Sequence, residues 1–294
     1  MLGLTQEGGQ VPPARDRGLE GIETRASSST PQTAAVGPEL APLIRTIESE
    51  IIPRLLLAHK GAAEARGEHD ARGEIPSPEH VLEFAGLVLT QDASAAARYM
   101  EAMVDQGFLL ETLYLELLAP AARHLGALWE QDLCDFVDVT VALGRVQHVI
   151  REFSPVFRDN ALAPKAKVRR ILLTPAPGEQ HSMGLMMVKE FFLRGGWEVV
   201  GGPGVPVGEV GAQLAEQWFD CVGVSAGGDC RLEGLATWIA SLRAVSRNRS
   251  VSIMLGGPCF IAHPELAALL GADATAADAR TAVRQAEILA ARPH

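Results

Sequence analysis

The chain has 294 residues, 47% of them apolar and 21% charged, enough for a globular protein with two buried cores. Its formal net charge of −10 argues against the broad basic face that nucleic acid or an anionic membrane would need, so direct DNA contact is not expected. No apolar run approaches the about 20 residues of a membrane span, and the N-terminus lacks a basic start followed by an apolar core. A cytoplasmic protein without membrane contact is the expectation.

Residues 1–38, with Gly8-Gly9, Pro12-Pro13 and Ser27-Ser28-Ser29, show almost no apolar periodicity and predict a disordered tail. Residues 39–76 predict an extra N-terminal helix and a linker. Leu40, Leu43, Ile44, Ile47, Ile51 and Leu55 recur at helical spacing, Pro53 interrupts them, and the helix ends near His59. Residues 77–154 predict a four-helix bundle. Its first helix starts at Pro78 with Ser77 as cap, its second at Ser94, its third spans Leu109 to about Glu130 with a bend at Pro120, and its fourth runs from Asp135 to Phe153. Residues 155–167, rich in proline and ending in bases, read as the link to the next domain.

Over residues 168–292 the periodicity switches to short apolar strands alternating with helices. Strands are expected at Val168–Thr174, Trp197–Val200, Cys221–Ser225, Val251–Leu255 and Asp273–Thr275. Helices are expected at Ser182–Arg194, Gly208–Trp218, Leu232–Val245, Pro264–Leu270 and Ala276–Ala291. The fold class is therefore α/β, a four-helix bundle followed by a flavodoxin-like, doubly wound, parallel five-stranded sheet.

In such a sheet the loops after strands one, three and four gather at one edge, beside the switch in strand order. Here they carry Glu179, His181, Ser182, Met183 and Gly184; Ser225-Ala226-Gly227; and Gly256-Gly257. Glycines remove side chains where something large must approach backbone, and His181 is the strong metal ligand of the set. Glu179, two residues earlier, is within reach of the second ring nitrogen and would fix the tautomer. Cys134, Cys221, Cys230 and Cys259 contain no Cys-x-x-Cys pair, and Cys221 falls inside an apolar strand, where a buried thiol is expected.

These loops resemble the cobalamin-binding pattern: Asp-x-His-x-x-Gly after strand one, Ser-x-Leu or Ser-x-Thr after strand three and Gly-Gly after strand four, with a helical bundle in front. The resemblance implies that His181 is the lower cobalt ligand with Glu179 bonded to it, that Ser225 meets the nucleotide tail, and that Gly256 and Gly257 let the tail pass. Two positions depart from that pattern, Glu179 for aspartate and Gly227 for leucine or threonine. In photoreceptors of the CarH type a tryptophan is followed nine residues later by Glu-His over the upper corrin face. Here Trp129 is followed at that spacing by Val139-Thr140.

The stretch from Trp129 to Thr140, with Ile51-Ile52-Pro53-Arg54-Leu55 upstream, resembles a narrower group, the AerR/PpaA antirepressors of photosynthesis genes and the related heme-binding domain of AppA. That resemblance implies a non-enzymatic regulator that binds adenosyl- or hydroxocobalamin and contacts a transcriptional repressor of the CrtJ/PpsR type in response to light or oxygen. Trp129, Val139 and Thr140 would then face the cofactor, and His59 is a candidate upper ligand. Two other functions fit the same scaffold: a heme-binding redox sensor with His181 as axial ligand, and a corrinoid carrier for methyl transfer.

Overall fold

The computed structural model describes residues 74–159, 168–181, 183–227 and 234–292. The expected tail, the Leu40–Leu55 helix, His59, Ser182 and Cys230 lie outside these residues.

The bundle begins with α1 (Pro78–Thr90), where Ser77 Oγ accepts from His80 N–H at 3.5 Å and His80 Nδ1 accepts from Ser77 N–H at 3.0 Å. Two orphan donors of the first turn are thus satisfied reciprocally. The next helix, α2 (Ala93–Asp105), is capped by Asp92, whose Oδ1 accepts from Ala95 N–H at 2.9 Å. Asp92, not Ser94, sets the start, because Asp92 holds the extended backbone that a cap requires.

The third stretch is α3 (Leu110–Leu113), a π-helical segment (Tyr114–Leu118) and α4 (Ala119–Glu130). Ala119 N–H bonds to Tyr114 O, five residues back, immediately before Pro120. The wider turn absorbs a residue that has no N–H to donate and would crowd the preceding turn in an α-helix. The final bundle helix, α5 (Phe136–Asp159), starts under Asp135, whose Oδ1 accepts from Asp138 N–H at 2.7 Å. It continues through Pro155 to Asp159, past the expected end at Phe153, because Phe157 reaches the core and Ser154 and Arg158 find a buried partner.

The sheet domain alternates β1 (Arg170–Pro175), α6 (Met183–Arg194), β2 (Glu198–Gly201), α7 (Val207–Glu216), β3 (Cys221–Ser225), α8 (Leu235–Val245), β4 (Ser252–Gly256), α9 (Pro258–Ala262), α10 (Glu265–Leu269), β5 (Ala274–Ala276) and α11 (Ala279–Ala290). All pairings are parallel and the order is β2-β1-β3-β4-β5, the flavodoxin-like arrangement. The switch in order lies between β1 and β3. Two short helices, α9 and α10, stand where one was expected.

Both faces of the sheet are covered. Leu172, Val222, Val224, Ile253 and Leu255 pack with α7 and α8, while Ile171, Leu173, Cys221 and Met254 pack with α6 and α11. The bundle does not keep a core of its own. Its cluster, built on Phe84, Met100, Leu117, Leu125 and Ile150, continues into Met187 and Phe191 of α6 and Ala279 of α11. Tyr114 stacks on Phe157 at 4.5 Å, and Phe157 meets Phe191 at 5.1 Å, so aromatic contact crosses from α5 to α6. The described residues form one compact unit.

Candidate functional site

The carboxyl ends of β1, β3 and β4 are stitched laterally. Ala176 N–H donates to Ser225 O at 2.8 Å, and Ala226 N–H donates to Gly256 O at 2.9 Å. The three loops named by the sequence therefore form one edge. Gly257 adopts φ of +100°, and a Cβ there would collide with the Ala226 carbonyl, so this position excludes a side chain for two independent reasons. Gly256 and Gly184 differ. A Cβ on Gly256 would come no nearer than 3.9 Å to Ala276 O, and one on Gly184 would have nothing within 4 Å. Both present open backbone.

His181 stands at this edge with its side chain 81% exposed, and Nδ1 lies 2.7 Å from Glu179 Oε1. The same oxygen accepts from Gln180 N–H at 2.8 Å and His181 N–H at 2.7 Å, while Oε2 accepts from Gly227 N–H. Burial pushes the Glu179 pKa up, but the backbone donors of His181 and Gly227 and the imidazole together outweigh it, and the net direction is down. An ionised carboxylate can only accept, so Nδ1 carries a proton toward it, and the tautomer this selects has its lone pair on Nε2. The result is an oriented, outward-facing imidazole with a supporting carboxylate in place, an arrangement able to ligate a metal.

Among the described residues no three His, Cys, Asp or Glu side chains converge to hold a metal ion. A second feature of the edge fits a bound organic group. Thr275 Oγ1, on β5 beside Leu255, is buried without a hydrogen-bond partner among the described residues. Nothing in the sequence distinguishes this threonine, since one hydroxyl in a three-residue strand carries no periodic signal.

The remaining candidates are dispersed. Ser225 ends β3, half-buried, and Ala226 is buried. Met183, at the start of α6, packs on the bundle cluster. Trp129 and Thr140 lie on the α4–α5 hairpin, where Trp129 meets the Phe136 ring at 6.3 Å and Thr140 Oγ1 donates to Phe136 O at 2.7 Å. Val139, one position away, is 7% exposed and belongs to the bundle core. The hairpin also exposes Leu133, Phe136 and Val137, an apolar surface about Trp129. Cys221 is fully buried and its thiol pKa is pushed up by that burial, which makes it inert.

Residues 169–287 match the family model described as B12 binding domain. A protein of Rhodobacter capsulatus, described as an uncharacterized 20.5 kDa protein in the bchF-crtJ intergenic region, is 27% identical over 166 residues, spanning 56% of this chain and 84% of that protein. The solved structure of the Methanosarcina barkeri monomethylamine corrinoid protein shares the fold at a TM-score of 0.60 and 17% identity, over 71% of this chain and 98% of that one. His181, Glu179 and all three glycine-bearing loops fall inside the matched B12-binding segment. No described helix is long and apolar enough to cross a membrane.

Proposed function

We propose that this chain, whose sheet half matches the B12-binding domain, is a light-sensing transcriptional regulator that binds cobalamin through His181. It acts by contact with a repressor of the CrtJ/PpsR type and carries no catalysis of its own. The observation that carries the cobalamin reading is the exposed His181 imidazole, braced by Glu179 at the switch point of the sheet. The regulatory reading is supported by the similarity to the R. capsulatus protein, which at 166 residues extends beyond the matched domain, and by that relative's place beside crtJ.

In this reading His181 Nε2 would hold the cobalt. Glu179 holds the ring, Gly184 and Gly256 leave room for the macrocycle and its tail, and Ser225 and Thr275 offer hydroxyls to the tail. A bound alkylcobalamin would supply light-sensitive cobalt–carbon chemistry at this site. Trp129 and Thr140, on the hairpin, would contact the cofactor, and His59 is a candidate second ligand. The exposed Leu133, Phe136 and Val137 lie on the same hairpin, so a change at Trp129 would be transmitted to the protein surface.

The test is the absorbance spectrum of the purified full-length chain with adenosylcobalamin before and after illumination, followed by co-purification with the repressor. A light-dependent spectral change lost in His181→Ala, with repressor binding that differs between dark and lit protein, is expected. If cobalamin gave no change and hemin gave a sharp Soret band lost in the same variant, the site would belong to heme. Methyl-transfer turnover with catalytic partners would assign it to a corrinoid carrier.

A further inference from the structure

Glu179 and Gly227 are the two positions at which the loops depart from the pattern they resemble, and they touch. Gly227 N–H donates to Glu179 Oε2, across 48 residues of sequence. A Cβ built on Gly227 would lie 2.6 Å from that oxygen, 3.3 Å from Glu179 Cδ and 3.0 Å from His181 Nδ1. The volume that any side chain at 227 would fill is thus occupied by the carboxylate and the ring it supports. The backbone gives no separate reason for glycine, because Gly227 is absent from the residues with positive φ.

We propose that Gly227 is a positioning residue for His181 and forms one coupled unit with Glu179. The missing side chain admits the longer carboxylate, which then bridges the loop after β3, through Gly227 N–H, to the imidazole on the loop after β1. An aspartate, shorter by one carbon–carbon bond of about 1.5 Å, would withdraw from Gly227 and leave room for a methyl group. Glutamate therefore requires glycine here, and aspartate tolerates a side chain. Through this bridge His181 is referenced to both central strands of the sheet and not to its own loop alone.

The inference rests on the cobalamin reading for its consequence, and its test separates the two. Wild type, Gly227→Ala, Glu179→Asp and the double variant Glu179→Asp/Gly227→Ala are compared as full chains, with circular dichroism as the check on folding. In the ligand-free protein, long-range 1H–15N spectra report the His181 tautomer. The Nδ1–H form should dominate in wild type, diminish in Gly227→Ala and return in the double variant. With hydroxocobalamin, Gly227→Ala should bind about 10- to 100-fold more weakly, the loss typical of a disturbed ligand support.

The double variant should recover to within about 3-fold of wild type, a non-additivity that marks direct contact. In the reduced cobalt(II) protein, nitrogen splitting from 15N-histidine should weaken in Gly227→Ala and return with the double substitution. An unchanged tautomer and unchanged affinity in Gly227→Ala, or losses that simply add in the double variant, would overturn the proposal. Wild type that failed to bind hydroxocobalamin would sink the cobalamin reading, while the tautomer series would still decide the coupling of Gly227 to Glu179.

Discussion

Arg158 holds the carboxylate of Glu190 with two donors, Nε at 2.9 Å from Oε2 and Nη2 at 2.6 Å from Oε1. Ser154 Oγ donates to the same Oε2 at 2.6 Å. Glu190 lies on α6, the helix that begins just after His181, and its partners lie on α5 of the bundle. A second clamp repeats the arrangement: Glu111 accepts from Arg194 Nη1 at 2.6 Å and from Arg280 Nε, while Arg194 sits 4.7 Å above the Phe157 ring. The bundle is therefore tied to the helix that starts at the site.

Arg158→Ala should destabilise the protein by about 2 kcal/mol. That is less than the ~3–5 kcal/mol for breaking a fully buried pair, because the arginine side chain is 42% exposed and water can partly replace it, whereas Glu190 is left in the core. Urea unfolding of the variant against wild type measures this. A loss below about 0.5 kcal/mol would mean that the clamp is ornamental.

The glycine pair after β4 should separate folding from binding. Gly257→Ala forces a positive φ on alanine and drives its Cβ into the Ala226 carbonyl, so it should cost at least about 1–3 kcal/mol in stability. Gly256→Ala has room and should leave the unfolding midpoint within about 0.5 kcal/mol of wild type while weakening hydroxocobalamin binding. Thermal unfolding and a binding titration on both variants give the comparison.

Adjacent residues on α5 should behave as opposites. Val139→Ala removes buried methyl groups from the bundle core and should cost about 2 kcal/mol. Thr140→Val, on the exposed side of the same turn, should change stability by less than about 0.5 kcal/mol. Only the Thr140 variant is then a clean probe of cofactor contact, read from the spectrum of the cobalamin-loaded protein.

Glu179 predicts a pH dependence of definite sign. Its folded pKa lies below the ordinary carboxylate value of 4.5, so its stabilising contribution is present above that pH and is lost as pH falls through the folded value. Glu179→Gln removes the charge and sets an amide NH2 against one of the N–H donors now served by the two oxygens. The stability gap between wild type and Glu179→Gln should be largest near neutrality and narrow as pH falls below 4.5, as followed by urea unfolding across the acid range. A gap that widened on acidification would contradict the hydrogen-bonded carboxylate.

The order of elements, the parallel sheet and the three loops at its edge were legible in the chain because each rests on a local signal. Apolar alternation marks strands, the 3.6-residue stripe marks helices, and glycines mark the turns between them. His181 stood out for the same reason, as a metal-ligating residue between a strand and a helix start. The end of α5 did not, because a proline at 155 reads locally as a stop, and only the burial of Phe157 against Tyr114 and Phe191 makes the helix worth continuing.

What the sequence by itself determined was which loops gather at the carboxyl edge of the sheet. The tertiary structure decided how they are used. It turned Val139 into the core and left Thr140 outside, made the bundle share its core with Met187 and Phe191, and left the Thr275 hydroxyl buried at β5. It also brought Gly227 against Glu179, so that two separate oddities of sequence became one contact. Spacing along the chain specifies the face of an element, but the pairing of loops depends on strand order, and strand order is set by packing between residues that are distant in sequence.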